Sequence, residues 1–135
     1  RQRPEMAIHK FCRMILNGET IPVYNHGNCL RDYTYIDDIV QGVLAILESK
    51  ALTYDVVNLG ESQTISTLDL IKLLEQECDK KAILNLMDSQ QGDVEKTFAD
   101  IAHAKNVYGY SPQYPVQKGI KEFVKWFKEK TVTTT

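Results

Sequence analysis

The feature that most constrains the fold is that the apolar residues switch repeatedly between a helical and a strand-like period, with almost no linker between switches. A chain of that pattern alternates helices and strands and folds as an α/β unit. A first helix is predicted over residues 4–18. Pro4 suits its first turn, Ile8, Phe11, Cys12 and Ile15 fall on one face, and Gly18 ends the pattern. β-branched and aromatic residues make IPVY (21–24) and DYTYI (32–36) short strands, with a polar loop at 25–31 held between them. Ile36, Ile39, Val40, Val43, Leu44 and Leu47 then form the stripe of a helix over 36–49. Asp37 and Asp38 lie in its first turn, where carboxylates favour the positive end of the helix dipole.

YDVVNLG (54–60) reads as a strand stopped by glycine, and Ser66 with Asp69 makes a capping-box variant that opens a third helix. AILNLM (82–87) suits another strand, followed by the turn-like DSQQGD and a short stretch, KTFA. Asp100 can cap a helix over 101–108 that Gly109 closes. Pro115 can open the last helix, with Val116, Ile120, Phe123 and Phe127 inward and lysines outward. The expected architecture is α/β, about five helices with several short strands and no internal repeat. One domain is expected over residues 1–130, with a disordered tail, TVTTT, at 131–135.

At 135 residues, 43% hydrophobic and 25% charged, the chain can build one core. Its net charge of -2 supplies no basic field to attract nucleic acid or an acidic membrane surface. No apolar run approaches the ~18 residues that span a bilayer, and RQRPEMAIHKF has a proline and charges where a signal peptide needs an apolar stretch. Cys12, Cys29 and Cys78 are odd in number and lack CxxC spacing, which suits buried thiols in a reducing, cytoplasmic compartment. Histidine, cysteine and acidic residues never cluster at chelating spacings, so no metal site is expected.

Chemistry belongs in the two polar loops, 25–31 and 88–93, because both follow strand-like runs, where ligands often sit in α/β proteins. Arg31 stands where loop becomes strand. Its guanidinium matches the oxygens of a phosphate or carboxylate ligand, or it pairs at the surface with an acid such as Asp32 or Asp93. Asp93 and Asn58 have a turn-making reading beside Gly92 and Gly60, and His26 reads as a solvated or hydrogen-bonding loop residue. His9 and His103 sit in helical patterns without a ligand partner.

RPEMA, IPVY, RDYTYIDDIV, VNLG, QGDV and TFADI follow one another here in a known order and spacing. Through them the chain, from Arg1 to about Lys128, resembles the C-terminal part of the NAD-dependent nucleotide-sugar epimerases and dehydratases. These are extended short-chain dehydrogenases/reductases, and the nearest resemblance is to the UDP-glucuronate 4-epimerases. The resemblance implies a C-terminal, substrate-binding portion whose N-terminal Rossmann domain is absent from this chain. It implies that Arg31 contacts the diphosphate of a UDP-sugar, that Pro22 to Tyr24 lie along the base, and that Gln90 and Asp93 face the nucleotide. Gln90 would offer a neutral hydrogen bond, Asp93 would accept from a ribose hydroxyl, and Asn58 is a further candidate for that pocket. NAD in the intact enzyme, with none bound to this part, and a homodimer are also implied.

Some features of that family have no counterpart. There is no GxxGxxG turn to cradle a dinucleotide. No Tyr-x-x-x-Lys pair stands at the family's position; Tyr114 and Lys118 have the spacing but straddle Pro115 at a helix start. Without placed acid-base and cofactor groups, which lower such a barrier by about 10 kcal/mol or more, this stretch alone is expected to be inactive. Asn25-His26-Gly27 replaces a usual Gly-Asp-Gly, Gln91 a usual proline and Phe98 a usual tyrosine, which alters loop shape and base contacts. A dehydratase or decarboxylase on the same scaffold, or a non-catalytic binding or assembly module, are the alternatives.

Overall fold

The computed structural model describes residues 3–49 and 54–132. Among them the chain runs α1 (Ala7–Asn17), β1 (Thr20–Val23), a 3-10 turn (Tyr24–Gly27), β2 (Leu30–Asp32), α2 (Ile36–Glu48), β3 (Thr64–Ser66), α3 (Thr67–Cys78), β4 (Ile83–Leu86), α4 (Ala102–Tyr108) and α5 (Val116–Val132). The expected α/β fold with five helices and short strands is what forms. Helix α5 passes the expected domain end at residue 130, and residues 133–135 of the expected tail lie outside the described residues.

The core sits between α1, α3, α5 and β1. Phe11 and Ile15 of α1, Ile21 of β1, Leu70 and Leu74 of α3, and Ile120 and Val124 of α5 are all buried. Each such side chain contributes about 1.5–3 kcal/mol by leaving water. The helix ends follow local chemistry. Ser66 Oγ accepts the Asp69 N–H at 3.0 Å at the start of α3, as its capping pattern predicts. Gly18 takes the left-handed conformation (φ 70°) that closes α1, and Lys80 Nζ reaches the orphan Leu16 carbonyl at 2.7 Å.

Several elements differ from expectation. Helix α1 starts at Ala7 rather than residue 4 because Pro4 belongs to a turn closed by the Met6 N–H on the Arg3 carbonyl, 3.0 Å. Strand β2 occupies 30–32, not 32–36, so Arg31 lies within a strand. It pairs antiparallel with β3 in the register Leu30↔Ser66, Arg31↔Ile65, Asp32↔Thr64. Asp32 ends that ladder by accepting the N–H groups of Glu61 (3.2 Å), Ser62 (3.1 Å) and Ala99 (3.1 Å). Residues 54–60 form no strand: with no ladder partner among the described residues, they are tied down by side chains instead. Asp55 accepts from Tyr108 Oη at 2.6 Å and lies 2.8 Å from His103 Nε2, while Tyr110 Oη donates to the Gly60 carbonyl at 2.9 Å. KTFA contributes a single bridge, Leu30↔Lys96. Asp100 accepts the Ala102 N–H at 2.9 Å, although the residue flanking α4 is Ile101.

The apolar stripe of α2 does not enter this core. Ile36, Val40, Val43, Leu44 and Leu47 are 45–74% exposed, and the inward face carries Asp38 and Gly42. Asp38 does more than favour the helix dipole: buried to 2% exposure, it accepts the N–H groups of Gln113 (2.7 Å) and Tyr114 (3.0 Å). Strand β4 lies parallel to β1, from Thr20↔Ile83 to Val23↔Leu86, and its side chains are exposed.

Candidate functional site

Strands β1 and β4 run in the same direction, so the segments leaving them emerge together at their carboxyl ends, where open α/β sheets hold ligands. Backbone bonds zip these segments: Met87 N–H donates to the Val23 carbonyl at 2.9 Å and His26 N–H to the Met87 carbonyl at 3.0 Å. The first segment is tightly coiled, because Asn25 (φ 48°), His26 (φ 49°) and Gly27 (φ 80°) are all left-handed. Asn25 and His26 hold a conformation that glycine adopts without a Cβ penalty. That is the structural consequence of Asn-His-Gly at this turn.

Arg31 sits at the centre of the cluster. Its guanidinium donates to Asp93 Oδ1 at 2.8 Å, to the Leu30 carbonyl at 2.9 Å and to the Glu95 carbonyl at 3.4 Å. The surface pairing left open by the sequence is therefore formed, with Asp93 as partner. Its geometry is that of a charge-assisted hydrogen bond, and both side chains keep solvent access, 25% for Arg31 and 37% for Asp93. Cys29 Sγ lies 3.7 Å from the other Asp93 oxygen, and Asn25 Nδ2 lies 3.7 Å from Cys29 Sγ, which links the two loops. The turn is closed by the Asp93 N–H on the Gln90 carbonyl, 3.1 Å, with Gly92 left-handed at φ 88°. Behind the arginine, burial raises the Tyr33 hydroxyl above its ordinary pKa while the Arg31 charge pulls it down.

The structure thus brings Arg31 and Asp93 together, and Gln90 joins them through its carbonyl, which closes the turn at Asp93. Pro22 and Tyr24 lie on the adjoining strand end: Pro22 is half-buried opposite Asn85, and Tyr24 is 39% exposed. Asn58 stands apart, donating to the Asp100 carbonyl at 3.3 Å. His26 faces Asp88, with Nε2 3.1 Å from its Oδ1 at the surface. Sequence reasoning missed Cys29, the Glu95 carbonyl, and Asp32 and Asp38 as backbone clamps. The run RDYTYIDD holds both acids, but their partners lie 29 to 76 residues away along the chain. A separate open groove of about 540 Å³ lies between residues 33–39, α1 and α5. Among the described residues Glu122 is its only charged lining residue, so it offers no cation to an anionic ligand.

The domain is α/β, with an arginine-centred polar cluster near the carboxyl ends of two parallel strands. The chain is similar to proteins of the NAD dependent epimerase/dehydratase family, whose defining pattern matches its residues 1–60. It corresponds to the C-terminal part of those proteins. An uncharacterised protein of Methanocaldococcus jannaschii is 41% identical over 127 residues, covering 94% of this chain and 39% of the relative. The UDP-glucuronate 4-epimerase of Thermodesulfobacterium geofontis is 38% identical over 128 residues, with the same 94% and 39% coverage. Among solved structures, the UDP-glucuronic acid 4-epimerase of Bacillus cereus in complex with UDP-glucuronic acid and NAD superimposes with a TM-score of 0.84 at 34% identity. That match covers 94% of this chain and 42% of the other. The chain therefore spans about two fifths of the length of the relatives it matches.

Proposed function

We propose that this chain is the substrate-binding portion of an NAD-dependent nucleotide-sugar epimerase that inverts a hydroxyl-bearing carbon of a UDP-sugar by transient oxidation and re-reduction. UDP-glucuronate is the proposed substrate, and the reaction belongs to cytoplasmic carbohydrate metabolism. The observation that carries this reading is the Arg31–Asp93–Gln90 cluster at the carboxyl ends of β1 and β4, in a chain similar along 94% of its length to an epimerase solved with UDP-glucuronic acid and NAD. Arg31 is the proposed diphosphate ligand, held in place by Asp93. Gln90 and Asp93 flank the nucleotide, Pro22 and Tyr24 line the base, and Asn58 has a lesser part. NAD belongs to the intact enzyme, in a Rossmann domain N-terminal to these residues, because this sequence holds no glycine-rich turn that fits a dinucleotide. The intact enzyme is proposed to be a homodimer, and these residues alone to be inactive.

That Rossmann domain is the proposed cover for the exposed apolar faces of α2 and β4. A parallel strand pair is ordinarily buried on both faces, yet Ile83, Leu84 and Leu86 are 40–52% exposed. Relatives of more than twice this length supply the needed chain. Sedimentation of the isolated polypeptide is expected to show concentration-dependent self-association through these faces. A monomer that persists from dilute to concentrated solution would remove the argument.

Calorimetric titration with UDP-glucuronate, UDP and GDP tests the site. Binding selective for uridine is expected, and Arg31→Ala is expected to cost about 1.5–3 kcal/mol of it, roughly 10- to 150-fold in affinity. Equal affinity of the two proteins would return Arg31 to a surface ion pair, and indifference to the base would contradict the substrate class. Product analysis with the intact enzyme separates the reactions: loss of water or CO2 would replace the epimerase reading with a dehydratase or decarboxylase.

A further inference from the structure

The helix pair at the centre of the core carries two thiols that the proposed function does not use. Cys12 of α1 and Cys78 at the end of α3 stand 66 residues apart in sequence, with their sulfurs 3.8 Å apart in a shared S–H···S contact. Both are free and buried, at 0% and 6% exposure. Cys12 is walled in by the core, whereas Cys78 closes its helix beside the left-handed Asp79, where local opening of one turn reaches it. Lys128 Nζ is bound to the neighbouring Glu77 carbonyl at 2.8 Å, which sets a positive charge beside Cys78. We propose that Cys12 and Cys78 are a redox-modification site, forming a reversible disulfide that staples α1 to α3.

The sulfurs, already in van der Waals contact at 3.8 Å, close to the bond length of about 2.05 Å when the disulfide forms. The oxidant is a low-molecular-weight disulfide such as oxidised glutathione. The Cys78 thiolate attacks one of its sulfurs and releases a thiolate, leaving a mixed disulfide. Cys12 then loses its proton, attacks the Cys78 sulfur and releases the second small thiol. Two protein thiols are oxidised and one small disulfide is reduced to two thiols. The order follows from the electrostatics: the hydrogen bond from Cys12 and the Lys128 charge lower the Cys78 pKa, while donation to Cys78 and burial raise that of Cys12. In a reducing compartment the pair stays as two thiols, and the bond forms when the disulfide pool rises. Cys29, held against Asp93 in the other cluster, takes no part.

Incubation of the chain with oxidised glutathione, alkylation under denaturing conditions and peptide mapping by mass spectrometry tests this. A linked peptide pair containing Cys12 and Cys78 is expected, short of two hydrogens and released by dithiothreitol, with Cys29 still alkylated. The oxidised protein is expected to melt about 10 °C above the reduced one, and Cys78→Ser to abolish both effects. Full alkylation of Cys12 and Cys78, a retained glutathione adduct on either, or a link between chains would each overturn the proposal. The mapping on the unaltered protein decides it even if the variant fails to fold.

Discussion

At the scale of single residues, this chain spends two of its less exposed acids on backbone rather than on cations. Asp32 and Asp38 together hold five N–H groups of segments far along the chain, which fixes 61–62 and 99 against the end of β2 and 113–114 against the first turn of α2. Glu61 is the exception. It is 8% exposed and its Oε2 has no hydrogen-bond partner among the described residues. Burial first, then the charges of Asp38 and Asp32, raise its pKa above the ordinary value of 4.5. A raised folded-state pKa means that the stabilising contribution is complete below about 4.5 and is lost as pH rises through the folded value. Glu61→Gln is therefore expected to raise the melting midpoint more at pH 7 than at pH 4; equal shifts at both values would show the carboxyl to be solvated. Tyr110 has the same sign further up the scale. Burial, with the nearby acids, pushes its hydroxyl up to about 12, so its contribution fades as pH climbs from 10 to 12.

At the scale of elements, periodicity reported which segments are helical but not what each face meets. The stripe on α2 reads as an ordinary inward face, yet the side that packs in this chain is the one bearing Asp38 and Gly42. Gly42 permits that packing: a Cβ there would stand 2.8 Å from Leu59 Cδ2 and 2.9 Å from Tyr110 Cδ2. Alanine gains about 1 kcal/mol of helix propensity, but overpacking costs about 1–3 kcal/mol. Tyr110 cannot yield, being buried and bonded to the Gly60 carbonyl, so the clash wins. Gly42→Ala is expected to lower stability by up to about 2 kcal/mol in denaturant unfolding, whereas a more stable variant would mean that α2 packs loosely. Strand β3 escaped the sequence because its three residues merge into the cap of α3. The expected strand at 54–60 failed because alternation and β-branching report a preference that only a neighbouring strand can satisfy.

At the scale of the whole molecule, the core, the helix order and the two loops were legible because each rests on local pattern. The pairing of β1 with β4 was not, since about 63 residues separate the partners, and the sequence offered Asp93 as a partner of Arg31 only alongside Asp32. Residue order along the chain nevertheless pointed to both loops, and the fold places them side by side at one end of the parallel strands. The exposed faces of α2 and β4 lie in other elements, so ligand and partner domain need not compete for the same side chains. The most direct test of the account is amide hydrogen exchange of the polypeptide with and without UDP-glucuronate. Slower exchange confined to residues 23–31 and 87–97 is the result the account predicts. Slowing centred on the apolar groove between α1 and α5, with those two loops unchanged, would contradict it.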